Sequence, residues 1–226
     1  MVTVPGSLPP WRRPLVVVAH PDDESFGLGA ILTAFVDGGA VPAVLCLTHG
    51  EASTLHGVEG DLRDIRADEL RAAATILGLG EVELQDHPDG GLAALAADVL
   101  EAAVTATAQR LTADGLLVFG PSGITGHPDH VTATAAAVRA AGSLGLPVLG
   151  WVLPTDLTET LNAELGSAVF TGSGPAEIDL VIEVDRGRQL EAVQAHPSQA
   201  VPSSVLWRRL ELLGDHEYLQ VLNPPG

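Results

Sequence analysis

Little in this chain can neutralise a polyanion. Eleven basic residues face 29 acidic ones, a formal charge of −18, and such a field makes nucleic acid and anionic membranes poor partners. The only cysteine, Cys46, excludes an internal disulfide. It lies in the apolar stretch 41–47 and reads as a small buried hydrophobe, compatible with a cytoplasmic location. Aromatic residues are scarce and Ala, Val, Leu and Gly abundant, so a core of many closely packed small aliphatic side chains is expected. No run approaches the ~20 apolar residues of a membrane span. The apolar run after Arg12 and Arg13 is too short for a signal-peptide core, so residues 1–13, with Pro5, Pro9 and Pro10, read as an irregular lead-in.

Against this background the stretch Leu15-Val-Val-Val-Ala-His-Pro-Asp-Asp-Glu24 stands out. A β-branched apolar run ends in a His, a Pro and three consecutive carboxylates, a crowding of charge that strand stability does not call for and a bound cation would explain. His20 and Asp23 are three apart, so a tight strand-to-helix turn can aim both at one point, leaving Asp22 for another task.

The rest of the chain alternates strands and helices. After the first strand come a helix over 26–37, a strand over 40–47, a loop over 48–60 and a helix over 61–77. A short strand over 81–84, a long helix over 92–111 and a strand over 116–119 follow. A loop over 120–126, a helix over 129–141 and a strand over 147–153 complete five strands. The first two strands are apolar throughout, as in a parallel sheet covered on both faces, and strands alternating with helices of this length mark βαβ units. The expected fold is a Rossmann-like three-layer α/β sandwich with a mostly parallel central sheet of order 3-2-1-4-5. Residues 1–226 read as one domain. Its C-terminal extension, 176–226, holds a strand over 178–184, helices over 186–196 and 203–213 and a last strand over 217–222, after a further helix over 155–165.

A second charged cluster, Gly126-His-Pro-Asp-His130, follows the fourth strand as the first follows strand one. In the assumed order those strands are neighbours at the switch point where a crevice opens. His20, Asp23 and one or both of His127 and His130 then come within reach of one ion. Two His and a carboxylate with an open position suit catalytic zinc and hydrolysis of an amide or ester, with a nearby carboxylate and imidazole to handle protons. Fe²⁺ and Co²⁺ suit the same donors, and an iron oxygenase is a more remote reading. Taken singly, each cluster could be a turn with a capping Asp; two alike at two strand ends are harder to explain that way. His49, His56, His87 and His216 show no repeated spacing with carboxylates and read as loop or surface residues. Gly27-Leu-Gly29 lacks the third glycine of a dinucleotide fingerprint, Leu32 standing there; no Walker loop exists, and 23–27 lacks the first glycine of a nucleophile elbow.

The paired motifs His20-Pro-Asp-Asp-Glu24 and Gly126-His-Pro-Asp-His130 resemble those of the PIG-L/LmbE-like zinc-dependent N-acetylglucosaminyl deacetylases, and the resemblance runs from Leu15 to about Gln199. It implies an LmbE-like fold, zinc on His20, Asp23 and His130, and Asp22 as the general base that activates the attacking water. It implies His127 as the general acid, with Asp129 holding its ring and raising its pKa. Arg66, in Arg66-Ala-Asp-Glu69, and Asp89 match positions that contact the sugar. For Arg66 the bland alternative is a surface pair with Glu69 or Asp64, and for Asp89 a turn residue before Gly90. The segment 192–199 matches a C-terminal signature, with Gln189 where a Lys is often found, and His196 receives no role. Thr125 replaces the Tyr of members acting on glucosaminyl-inositol, which argues against that substrate. The reaction implied is deacetylation of a small molecule containing N-acetylglucosamine. An amidase acting on a thiol-sugar conjugate or an acylated natural product, and a non-catalytic sugar- or metal-binding module, are the alternatives. Related proteins are often oligomeric, so a homo-oligomer is expected by analogy.

Overall fold

In the computed structural model residues 6–54 and 58–223 are described. Residues 6–13 form neither helix nor strand; the first five residues of the expected lead-in, and His56, lie outside the described residues. The apolar runs become strands β1 (Pro14–Val18), β2 (Ala43–Thr48), β3 (Glu81–His87), β4 (Gly115–Phe119) and β5 (Val148–Val152). The uniform apolarity of β1, β2, β4 and β5 has a direct cause, since each is buried on both faces, whereas β3, at the sheet edge, carries polar residues and is only partly buried. Val16 and Val18 pack in one core with Leu28, Ile31, Leu70 and Leu77, while Leu15 and Val17 pack in the other with Leu100, Val104, Ala136 and Ala140. The helices supplying the first core are α2 (Gly29–Asp37) and α3 (Leu62–Leu77), and those supplying the second are α4 (Ala97–Leu111) and α6 (Pro128–Leu144).

The sheet has seven strands in the order β3-β2-β1-β4-β5-β7-β6. The first five are mutually parallel, in the order expected, with Val16 opposite both Val44 and Leu117. The C-terminal extension continues this sheet through β7 (His216–Asn223), antiparallel to β5, and β6 (Leu180–Glu183), antiparallel to β7. Between them in sequence, α8 (Gly187–Gln194) packs on α2 and α3, and α9 (Val205–Leu213) packs on α7 (Thr155–Leu165). No helix among the described residues is long and apolar enough to cross a membrane.

Three elements depart from expectation. The helix expected over 26–37 is two: α1 (Asp23–Phe26) starts inside the first motif, and α2 follows after Gly27 and Leu28. Asp22 carbonyl accepts from the amides of Ser25 and Phe26, so the carboxylate run itself forms the first turn, where the exposed amide dipoles favour negative charge. The helix expected over 92–111 begins as a 3₁₀ turn, Leu92–Ala94, and becomes regular only at Ala97. There the amides of Gly90 and Leu92 donate to the Asp129 carboxylate at 2.7 and 3.1 Å, so the chain turns toward α6 instead of entering the helix at once. The loop expected over 120–126 contains the short helix α5 (Gly123–Gly126), whose Ile124 has φ 68°.

Candidate active site

The carboxyl ends of adjacent strands β1 and β4 bring the two motifs together. His20 Nδ1 lies 3.1 Å from His130 Nε2, which lies 3.2 Å from Asp23 Oδ1. Each residue offers a ligand atom within 4.8 Å of the other two. His20, His127 and Asp129 make a second grouping of the same kind.

The surroundings decide between them. His130 Nδ1 faces Gly123 carbonyl at 3.2 Å, which makes Nδ1 the protonated nitrogen and leaves the Nε2 lone pair for an ion. His20 Nε2 lies 3.0 Å from Asp89 Oδ1 and 3.4 Å from Asp129 Oδ2. Those carboxylates favour the proton on Nε2 and free Nδ1 to point at His130 and Asp23. Asp23 Oδ2 accepts from the amides of Ala19 and His20, which leaves Oδ1 aimed at the same point. A nitrogen, a nitrogen and an oxygen with supported orientations fit a divalent transition metal. The His127 and Asp129 grouping lacks this support: His127 Nδ1 already accepts from the Asp129 amide at 3.3 Å, and the Asp129 carboxylate is taken by two backbone amides.

Electrostatics follow from this crowding. Burial disfavours a charged His20, but Asp129, Asp89, Asp23 and Asp22 outweigh it and push its pKa up to about 10. Asp23 is drawn well below the usual carboxylate range: burial opposes ionisation, and the His130 charge and hydrogen bond, then His20, overcome it. Asp22 moves up to about 6, because burial outweighs the opposing charge of Arg66.

Asp22 stands beside the convergence point without belonging to it. Its backbone has φ 127°, a conformation rarely adopted by a residue with a side chain. Two contacts hold it there: Arg66 Nη2 lies 3.0 Å from Oδ2, and the amide donates to Glu24 Oε2 at 3.0 Å. Arg66 is buried, donating also to Gly50 and Pro21 carbonyls, so the surface pair with Glu69 or Asp64 does not form. Glu69 instead receives the amide and hydroxyl of Ser198.

Asp129 departs from the resemblance. Its carboxylate makes no hydrogen bond to the His127 ring; it serves the 90–92 backbone and faces His20. The negative charge of Asp129 still raises the pKa of His127, but burial and the nearby His130 and His20 outweigh it, and the net shift is downward. Asp89 turns one oxygen to His20 and the other to the Ala52 amide.

His196, fully buried, contacts the site through Glu24. Its Nε2 is 2.8 Å from Glu24 Oε1, which also accepts from the Ser25 hydroxyl at 2.5 Å. Gln189 donates to the Ser25 carbonyl, bridging α8 to α1. The signature at 192–199 was the available signal, but a partner 172 residues away carries no spacing to read. His49, in the loop after β2, contacts Asp86 and the Arg63 carbonyl; His87 ends β3 and His216 begins β7.

His20, Asp22, Asp23 and His130 line a cavity of about 660 Å³ that also meets Arg66, Asp89, His127, Trp151 and Arg209. The PIG-L family model, described as GlcNAc-PI de-N-acetylase, matches residues 15–141, which include both motifs. A 1D-myo-inositol 2-acetamido-2-deoxy-alpha-D-glucopyranoside deacetylase of Rhodococcus jostii (strain RHA1) is 34% identical over 167 residues, 62% of this chain and 57% of its own. The chain thus spans little more than half the length of that relative. Among solved structures, the A40926 pseudoaglycone deacetylase Dbv21 superposes with a TM-score of 0.71 at 20% identity, over 95% of this chain and 99% of that one. GalB, the 4-carboxy-2-hydroxymuconate hydratase of Pseudomonas putida KT2440, gives 0.70 at 19% identity, over 95% and 98%. A deacetylase and a hydratase share this scaffold, so the structural likeness speaks for the fold alone. With the profile covering more than half of the sequence, the chain belongs to the PIG-L family.

Proposed function

We propose that this chain is a zinc-dependent hydrolase that removes an acetyl group from the 2-amino group of a glucosamine-containing small molecule. The observation that carries the reading is the convergence of His20 Nδ1, Asp23 Oδ1 and His130 Nε2 on the floor of a cavity beside Asp22 and His127. A divalent ion held by these three donors supplies Lewis acidity at the amide carbonyl and lowers the pKa of water at neutral pH.

The chain's own residues supply the proton steps. Asp22, ionised at neutral pH and held by Arg66 and Glu24, accepts a proton from the attacking water. His127 accepts the Asp129 amide at Nδ1, so its proton resides on Nε2. That N–H is the donor for the oxygen that gains charge, and Nε2 passes its proton to the departing amine as it receives the one Asp22 took from the water. The new C–O bond forms first, and the C–N bond breaks as the nitrogen is protonated, giving acetate and a free amine and leaving Asp22 ionised again. Asp89 and Asp129 hold His20 in the tautomer that leaves Nδ1 free.

The test is metal analysis of the purified protein together with acetate release from N-acetylglucosamine and its glycosides, with a chelated control and reconstitution by Zn²⁺, Fe²⁺ and Co²⁺. Near-stoichiometric metal and chelator-sensitive release support the reading. Asp22→Asn should retain the metal and lose at least about a hundredfold in kcat. Full turnover in that variant removes Asp22 from the chemistry; stoichiometric metal with no release from any acyl-amine defeats the deacetylase reading.

A further inference from the structure

The cavity has a second end. Along one wall the rings of His130 and Phe119 lie 4.9 Å apart, those of Phe119 and Trp151 5.3 Å apart, and the guanidinium of Arg209 sits 5.2 Å above the Trp151 ring. An aromatic path therefore leads from a metal-ligating residue to a cation on α9.

Arg209 is held but not neutralised. Its Nη2 donates to the Phe26 carbonyl at 2.6 Å, and its Nε is buried with no hydrogen-bond partner among the described residues. No carboxylate among the described residues makes an ion pair with it, whereas the other arginine of the cavity, Arg66, is paired with Asp22. The nearest large opposing charge is committed elsewhere: Glu217 takes Arg186 Nη1 at 2.5 Å and the Trp151 indole N–H at 2.6 Å. That second bond fixes the ring on which the guanidinium lies. Burial draws the Arg209 pKa down to about 10, the Glu217 charge only partly opposing it, so the group stays cationic at neutral pH in surroundings that penalise its charge. In a chain with 29 acidic residues, a cavity arginine left without a carboxylate is unusual. An anionic ligand would relieve the penalty. The N-terminal turn of α9, Ser204, Val205 and Leu206, lines the same cavity and adds the positive end of a nine-residue helix.

The geometry points to an acid-recognising subsite at Arg209, so that the preferred substrate is an N-acyl amino sugar carrying an oxyanion, carboxylate or phosphate, on the side away from its acylated nitrogen. This rests on the deacetylase reading for the orientation of the sugar. The acyl group lies at the metal-ligating residues, the sugar along Phe119 and Trp151, and the oxyanion on the fork of Arg209.

The experiment compares kcat/KM of the metal-loaded protein for methyl N-acetylglucosaminide, its carboxymethyl counterpart and N-acetylglucosamine 1-phosphate. The parent should favour at least one acidic compound by about tenfold or more, a size usual for a charged bidentate hydrogen bond. The ratio between the two acidic compounds distinguishes a carboxylate from a phosphate. Arg209→Gln should erase that preference, mainly through KM, its loss on the favoured acid exceeding its loss on the neutral glycoside by about tenfold; Arg209→Lys should restore part of it. Equal losses on all three, or a parent that prefers the neutral glycoside, overturn the subsite. Calorimetric titration with the same compounds keeps the two readings separate. Acid binding that depends on Arg209 without turnover defeats the deacetylase reading and supports the subsite, whereas acid binding indifferent to Arg209 defeats the subsite.

Discussion

Asp22 shows how many neighbours one strained residue requires. Its positive φ is sustained by Glu24 below and Arg66 beside it, and Glu24 is held in turn by His196 and Ser25. His196 is thus a positioning residue acting through Glu24. His196→Ala should lower kcat about tenfold or more with KM and metal content little changed, and His196→Gln, which can still donate to Glu24, should recover part of the loss. A purely structural role would instead lower thermal stability in both variants and leave kcat per folded, metalated molecule unaltered. Arg66 has a pH signature of its own. Its cation holds the Asp22 pKa below where burial alone would put it; removing it in Arg66→Gln raises that pKa. Because the proposed base, Asp22, acts deprotonated, the acid limb of kcat/KM should move to higher pH. A pH profile unmoved relative to the parent would separate Arg66 from Asp22. The sequence resemblance placed Arg66 against the sugar, and spacing alone offered a surface pair. Neither could reveal that the Asp22 side chain comes within 3.0 Å of the guanidinium.

At the scale of elements, what was legible was local. Apolar runs buried on both faces declared a parallel sheet, and each motif at a strand end declared its loop, because period and spacing are properties of contiguous chain. The breaks in the helices expected over 26–37 and 92–111 were not legible, since distant or functional acceptors set them. The Gly90 and Leu92 amides bend to Asp129, and the first motif forms its own turn. The short helix α5 shows the same limit. Gly123 has φ 63°, and a Cβ there would sit 2.9 Å from His130 Cβ and 3.2 Å from the Val131 amide nitrogen, while its carbonyl faces His130 Nδ1. Gly123→Ala adds strain at the positive φ and displaces His130, the proposed ligand it supports. Metal affinity should fall by about tenfold to a hundredfold, read by competition with a chromogenic chelator. Unchanged affinity would show that Gly123 does not orient His130.

Across the whole molecule, four carboxylates, Asp22, Asp23, Asp89 and Asp129, surround His20 at the centre of a chain of charge −18. Without an ion a proton on the imidazole offsets part of this charge, which is why the His20 pKa stands near 10 even though burial opposes it. The His130 pKa is raised as well, Asp23 overcoming its burial. Metal and proton therefore compete for the same lone pairs. Binding of Zn²⁺ at pH 7 should release protons, so affinity rises with pH through the range in which these rings would otherwise hold them. Calorimetry in buffers of different ionisation enthalpy reads the release directly. A binding enthalpy independent of buffer would mean that His20 and His130 are already neutral, and that the carboxylates around them do not act as inferred. An ion on the proposed ligands would join the turn after β1 and the start of α1 to His130 in α6, 110 residues on from His20. At a free concentration about a thousandfold above its Kd it adds about 4 kcal/mol to folding, and chelation should lower the melting temperature by roughly 10 °C. A Tm indifferent to chelator, in a protein shown to lose its metal, would place the ion outside the His20, Asp23 and His130 cluster.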